Sequence, residues 1–146
     1  MGATPFEMTE RESIEQLQQE TVGRLCVIEF GYPLAFPVNY RVTETAGSLR
    51  IVVRSTPRAA IARYEGPASF EVDHIDPDRL NAWSVIVRGR LKRGLGLDEL
   101  PDTFPLLTEG RFQWVVLDVT AISGRRFRSA PVDGGFYADW EPAGSR

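Results

Sequence analysis

Six short stretches rich in β-branched and aromatic residues recur along this chain, each bounded by glycine, proline or acidic turns, with only brief helical patterns between them. They are Arg24-Leu25-Cys26-Val27-Ile28-Glu29-Phe30, Leu34 to Val42, Ser48 to Arg54, Ala68 to Asp73, Ser84 to Leu91, and Trp114 to Ile122. The break Gly31-Tyr32-Pro33 predicts a hairpin between the first two, and the turn from Glu44 to Gly47 adds a third strand in a meander. Asp76-Pro77-Asp78 links the fourth and fifth. Strands in this succession predict a mainly β fold, a six-stranded antiparallel barrel that is closed or nearly so, rather than a doubly wound parallel sheet.

Two helices are expected at the barrel ends. Thr9-Glu10-Arg11-Glu12 has the form of a capping box and predicts a helix over about residues 9–20. Its apolar stripe is thin, Ile14 and Leu17 among glutamates and glutamines, which predicts a surface lid. Thr56-Pro57 offers a cap followed by proline at the first helical position, and Ala59 to Tyr64 continues as a helix that stops at Gly66. A further short helix is expected around Leu97 to Leu100, and a mobile tail over about residues 129–146.

Composition narrows the function. With 146 residues, 42% hydrophobic and 25% charged, one domain spanning 1–146 holds a real core without staples. Twenty acidic against 17 basic residues give a formal charge of -3, which disfavours nucleic acid as a partner. Cys26 and His74 are the sole cysteine and histidine, so neither an internal disulfide nor a zinc site is expected. No apolar run reaches the ~20 residues of a membrane helix, and Met1 to Pro5 has no basic, apolar leader, so the expectation is a soluble cytoplasmic protein.

Three groups of residues carry candidate chemistry. At Thr56-Pro57-Arg58 the amides of a helix start meet two guanidinium groups, Arg54 and Arg58, a combination suited to a phosphate monoester. A capped turn with solvated arginines accounts for the same residues. In Phe36-Pro37-Val38-Asn39-Tyr40 the proline marks a strand edge or bulge, and the Asn39 amide matches the acceptor and donor pattern of an isoalloxazine pyrimidine ring. Plain barrel packing by Asn39 and Tyr40 is the alternative. Trp83 could stack on an aromatic ligand and Ser84 could donate to it, although a lone tryptophan is more often core. His74 reads as an exposed loop residue, Cys26 as a buried, inert thiol, and Arg125-Arg126-Phe127-Arg128 as a solvated basic turn. Without paired catalytic groups, redox chemistry would have to come from a cofactor.

Gly23-Arg24-Leu25-Cys26-Val27, Pro37-Val38-Asn39-Tyr40, Ile51 to Thr56, Phe70-Glu71-Val72-Asp73, Trp83 to Gly89 and Ile122-Ser123-Gly124-Arg125-Arg126 occur in the order found in a known family. Over about residues 9 to 128 the chain resembles the pyridoxamine 5'-phosphate oxidase-related, split-barrel flavin-binding proteins. The resemblance implies a split β-barrel that forms a homodimer with FMN at the subunit boundary. Pro37, Val38, Asn39 and Tyr40 would border the isoalloxazine ring, and Arg54, Ser55, Thr56 and Arg58 would hold the phosphate. Trp83, Ser84 and Val85 would approach from the other subunit. Two departures stand out: Arg58 replaces a lysine common in relatives after a shorter turn, and residues 129–146 lack the substrate motif of the true vitamin B6 oxidase. The implied function is therefore an FMN-dependent oxidoreductase that passes a hydride between a nicotinamide donor and a small planar acceptor. The alternatives are F420-dependent reduction and a flavin or haem carrier or sensor without turnover.

Overall fold

The computed structural model describes residues 4–45, 47–55, 61, 64–93 and 113–128. In chain order they form strand β1 (Thr4–Met8), helix α1 (Glu10–Gln19), and strands β2 (Val22–Glu29), β3 (Tyr32–Thr45), β4 (Ser48–Ser55), β5 (Gly66–Asp76), β6 (Asn81–Arg93) and β7 (Gln113–Arg128). Every strand pairing is antiparallel. The sheet order β7-β4-β3-β2-β5-β6 returns to β7 through a β6–β7 ladder, so six strands make a ring and the split barrel is the fold.

The seventh strand, β1, was not expected. It lies outside the ring, on the β7 edge beyond the end of the β4 ladder, where Thr4 to Met8 face Arg128 to Gly124. β7 itself runs six residues past the expected end at Ile122, because β6 on one edge and β1 on the other supply hydrogen-bonding partners that the polar run Arg125 to Arg128 does not advertise. That basic run is therefore strand, not turn.

Local chemistry fixes the turns. The β2–β3 connection is a two-residue turn at Phe30 (φ 52°) and Gly31 (φ 80°), so Tyr32 and Pro33 already belong to β3. A type I′ turn demands positive φ at both positions and matches the strand twist. Between β5 and β6 the Asp76 carboxylate accepts from the amides of Asp78 and Arg79, both at 3.1 Å, closing an Asx turn.

The interior is filled by inward residues of alternate strand positions, among them Leu25, Ile51, Val53, Phe70, Val87 and Leu117, all fully buried. Helix α1 takes part in this core. Its N-cap Thr9 accepts from the Glu12 amide at 3.1 Å, and the Glu12 carboxylate meets the Thr9 hydroxyl and Arg126. Leu17 is fully buried in the main cluster and Ser13 is sealed against Gly124. The sequence predicts a surface lid, whereas the helix packs on β7, β1, β3 and β6 and contributes Leu17 to the core. Of the helix expected after Thr56, Ile61 is helical and buried; residues 56–60 lie outside the described residues, as do the expected helix at 97–100 and the tail.

Candidate functional site

Two places in the ring are imperfectly zipped. β3 pairs with β2 over Tyr32 to Asn39 and with β4 over Tyr40 to Thr45, changing partner at the Asn39–Tyr40 step. β4 meanwhile continues along β7, with Arg54 opposite Trp114 and Ser55 opposite Gln113. Beyond the Tyr40–Val53 pair, β3 and β4 therefore diverge, leaving a notch with Val38 and Asn39 on one arm and Arg54 and Ser55 on the other. Pro33 and Pro37 fall in the stretch of β3 that, among the described residues, has a strand partner on one side only, which is where a residue lacking N–H belongs.

The expected binding residues divide accordingly. Pro37 and Asn39 are exposed on β3, and Arg54 and Ser55 are half-buried at the end of β4. Thr56 and Arg58 lie outside the described residues. Tyr40 is directed inward: its ring is fully buried, packs edge-to-face on Phe70 with centroids 4.8 Å apart, and its hydroxyl donates to the Leu17 carbonyl. Burial, with the nearby Glu20 charge adding to it, holds the phenol well above the usual tyrosine range. The Tyr40 amide donates to Thr21 at 3.0 Å and its carbonyl accepts from Arg41 at 2.9 Å. Tyr40 thus anchors the notch from behind and presents no ring to it.

Trp83, Ser84 and Val85 sit on β6, separated from β4 by β7 on one side of the ring and from β3 by β2 and β5 on the other. Val85 is fully buried in the core. Trp83 is partly buried and stacks on His74 at 6.3 Å, and His74 Nδ1 lies 3.6 Å from the Glu20 carboxylate. His74 is exposed, as expected, but on a strand rather than a loop. Within one chain the pairings bring Val38 and Asn39 toward Arg54 and Ser55, and leave Trp83 and Ser84 on another strand.

Trp114 escaped the sequence reading. It stands directly across the ladder from Arg54, so both side chains project from the same sheet face. Nothing local marks it; only the β4–β7 register does.

The second imperfect seam joins β2 to β5 through just three residue pairs, Arg24 to Cys26 against Glu71 to Ser69. Arg24 straps it, reaching Glu71 at 2.7 Å and Asp73 at 3.3 Å. Cys26 is half-buried, not fully buried, and burial pushes its thiol up, keeping it protonated and unreactive at neutral pH.

A family model described as pyridoxamine 5'-phosphate oxidase matches residues 9–126, and the chain belongs to that family. No curated protein matches it. Among solved structures, a conserved protein of unknown function from Corynebacterium diphtheriae is 26% identical, with a TM-score of 0.73 over 84% of this chain and 98% of the other. The FAD binding protein from Mycobacterium smegmatis is 23% identical, with a TM-score of 0.72 over 86% of this chain and 100% of the other. The FAD and heme binding protein of the same organism is 16% identical, with a TM-score of 0.61 over 96% and 92%. At such identities the last two attest the fold.

Proposed function

We propose that this protein binds FMN in the β3–β4 notch and works as a flavin-dependent oxidoreductase, as a homodimer in which a second copy completes the site. The observation that carries the reading is the divergence of β3 from β4 past the Tyr40–Val53 pair, which sets exposed Asn39 beside Arg54 and Ser55. The donor set fits such a group. Arg54 and Ser55, with Thr56 and Arg58 following in sequence, supply guanidinium and hydroxyl donors for a phosphate monoester. Pro37, Val38 and Asn39 present main-chain groups and one amide side chain to a planar heterocycle. Two structural relatives described as binding FAD support a flavin over an unrelated anion.

Within this reading the protein holds and orients, while the bound flavin supplies hydride chemistry between a nicotinamide donor and a small planar acceptor. Tyr40 acts as a buried support behind the site, and Val85 is core packing beneath Trp83 and Ser84. Trp83 and Ser84 reach the ring from the partner copy, since in their own chain they stand on β6, which is adjacent to neither β3 nor β4. Phe30 (90% exposed) and Tyr32 (70% exposed), at the tip of the β2–β3 hairpin, are large apolar side chains left uncovered in one chain, which supports assembly.

The test is fluorescence titration of the purified protein with FMN, FAD and F420, followed by anaerobic reduction with NADH and NADPH. FMN is expected to bind most tightly and to be reduced. Arg54→Ala and Arg58→Ala should each weaken FMN binding by about 1 to 3 kcal/mol through loss of a charge-assisted hydrogen bond. Unchanged affinity in both variants removes the notch from the reading. Tight F420 binding identifies the deazaflavin as cofactor, and tight flavin or haem binding without reduction by any donor identifies a carrier or sensor.

A further inference from the structure

The β2–β5 seam opens past Cys26 as the β3–β4 seam opens past Tyr40. Because β5 pairs with β2 only as far as Cys26–Ser69, the remainder of β2 separates from it and leaves an external groove of about 730 Å³. Ile28, Pro33, Pro67 and Ala121 give it apolar walls. Arg88 and Arg90, alternate outward residues of β6, stand along it together with Ser69. No acidic side chain among the described residues lines it.

The two arginines differ from seven other basic groups on this acidic chain. Arg11, Arg24, Arg50, Arg79, Lys92, Arg93 and Arg126 each meet a carboxylate, the longest of these closest contacts being 3.9 Å. Arg88 and Arg90 meet none among the described residues. The obvious candidate, Asp118, lies opposite Arg90 in the ladder but is engaged by Arg50 at 3.0 Å and by Lys92. A register shift next to Arg88 leaves Thr120 as an extra residue in β7, its hydroxyl donating to the Arg88 carbonyl at 3.1 Å. Bulges of this kind re-aim neighbouring side chains and recur beside binding sites.

We propose that this groove is a second binding site, distinct from the notch, for a small organic oxyanion: a phosphate or carboxylate on an apolar body, held by Arg88 and Arg90 with its body against the Ile28, Pro33 and Pro67 wall. Two guanidinium groups offer paired donors to one oxyanion. The volume suits a ligand of ordinary metabolite size, and mostly apolar walls with a few convergent polar groups are the usual make-up of such sites.

Cys26 lines the groove and, as the sole cysteine, reports on its occupancy. The experiment measures the rate of Cys26 alkylation by iodoacetamide at alkaline pH, by mass spectrometry, with phenyl phosphate, inorganic phosphate or benzyl alcohol added. Phenyl phosphate is expected to slow alkylation severalfold, while the anion alone and the apolar body alone have little effect. The double substitution Arg88→Gln with Arg90→Gln should weaken that protection by about tenfold or more, and the lysine pair should retain part of it. FMN affinity should be unchanged in both variants, which separates this site from the notch. The proposal is overturned if phenyl phosphate gives no protection, if it protects the glutamine variant equally, or if inorganic phosphate protects as well as phenyl phosphate. Where native Cys26 is too slow to alkylate, phenyl phosphate binding is read by isothermal titration calorimetry instead, and absent binding or equal binding by the glutamine variant overturns the proposal.

Discussion

Tyr40 shows how one residue's role depends on which way its strand faces. In sequence it belongs to a run expected to border a planar ring; in the barrel its phenol is fully buried and bonded to the Leu17 carbonyl at the end of α1. Tyr40→Phe should cost about 1 kcal/mol in chemical denaturation, since it leaves a helix-terminal carbonyl without its partner. The pH dependence follows from the raised phenol. Its folded pKa lies above the unfolded value of ~10, so its stabilising contribution is complete below that pH and is lost as pH rises beyond it. Wild type should therefore lose stability on going from neutral to strongly alkaline solution more steeply than Tyr40→Phe. Parallel losses in the two proteins contradict the assignment. The edge placement of Pro37 is legible in the sequence because a proline inside a β run has few tolerable places, and the stretch of β3 paired on one side among the described residues is one of them.

At the scale of elements, the strands with strong β-branched patterns were legible and the two partner-dependent ones were not. β1 has little alternation and exists because the β7 edge beyond Asp118 needs a partner. Gly23 illustrates a constraint visible only in packing: a Cβ there would drive into the Phe70 ring and Val72 across the β2–β5 seam. Gly23→Ala should destabilise by about 1–3 kcal/mol, measured as a lowered denaturation midpoint. The Arg24 strap over the same seam is exposed, and its removal should do less. Arg24→Ala is expected to cost up to about 1 kcal/mol at low salt, with the deficit shrinking as salt is raised. A deficit indifferent to salt would mean that the arginine stem, not its charge, holds the seam.

For the whole molecule, the central question is assembly. If Trp83 and Ser84 reach the notch of a second copy, flavin must be lost when dimers separate on dilution, following the sedimentation-defined dimer fraction. Phe30→Asn supplies a sharper check. Asparagine accepts the left-handed conformation of Phe30 more readily than phenylalanine does, and Asn-Gly suits the type I′ turn, so the hairpin itself is not harmed. Removing the exposed ring should nonetheless raise the dimer dissociation constant and reduce flavin retention in step. Retention by a monomeric variant removes the second copy from the site.

What the sequence determined by itself was the class of fold and the place of a proline on an open strand edge, because period-two apolar runs, turn residues and a strand proline are local physical constraints with few solutions. What only the tertiary structure decided was which seams stay open. The divergences of β3 from β4 and of β2 from β5 depend on how six strands share a closed ring, a balance of long-range pairings that no single segment encodes. Those same pairings turned Tyr40 inward, set Trp114 opposite Arg54, and left Arg88 and Arg90 together without a carboxylate among the described residues.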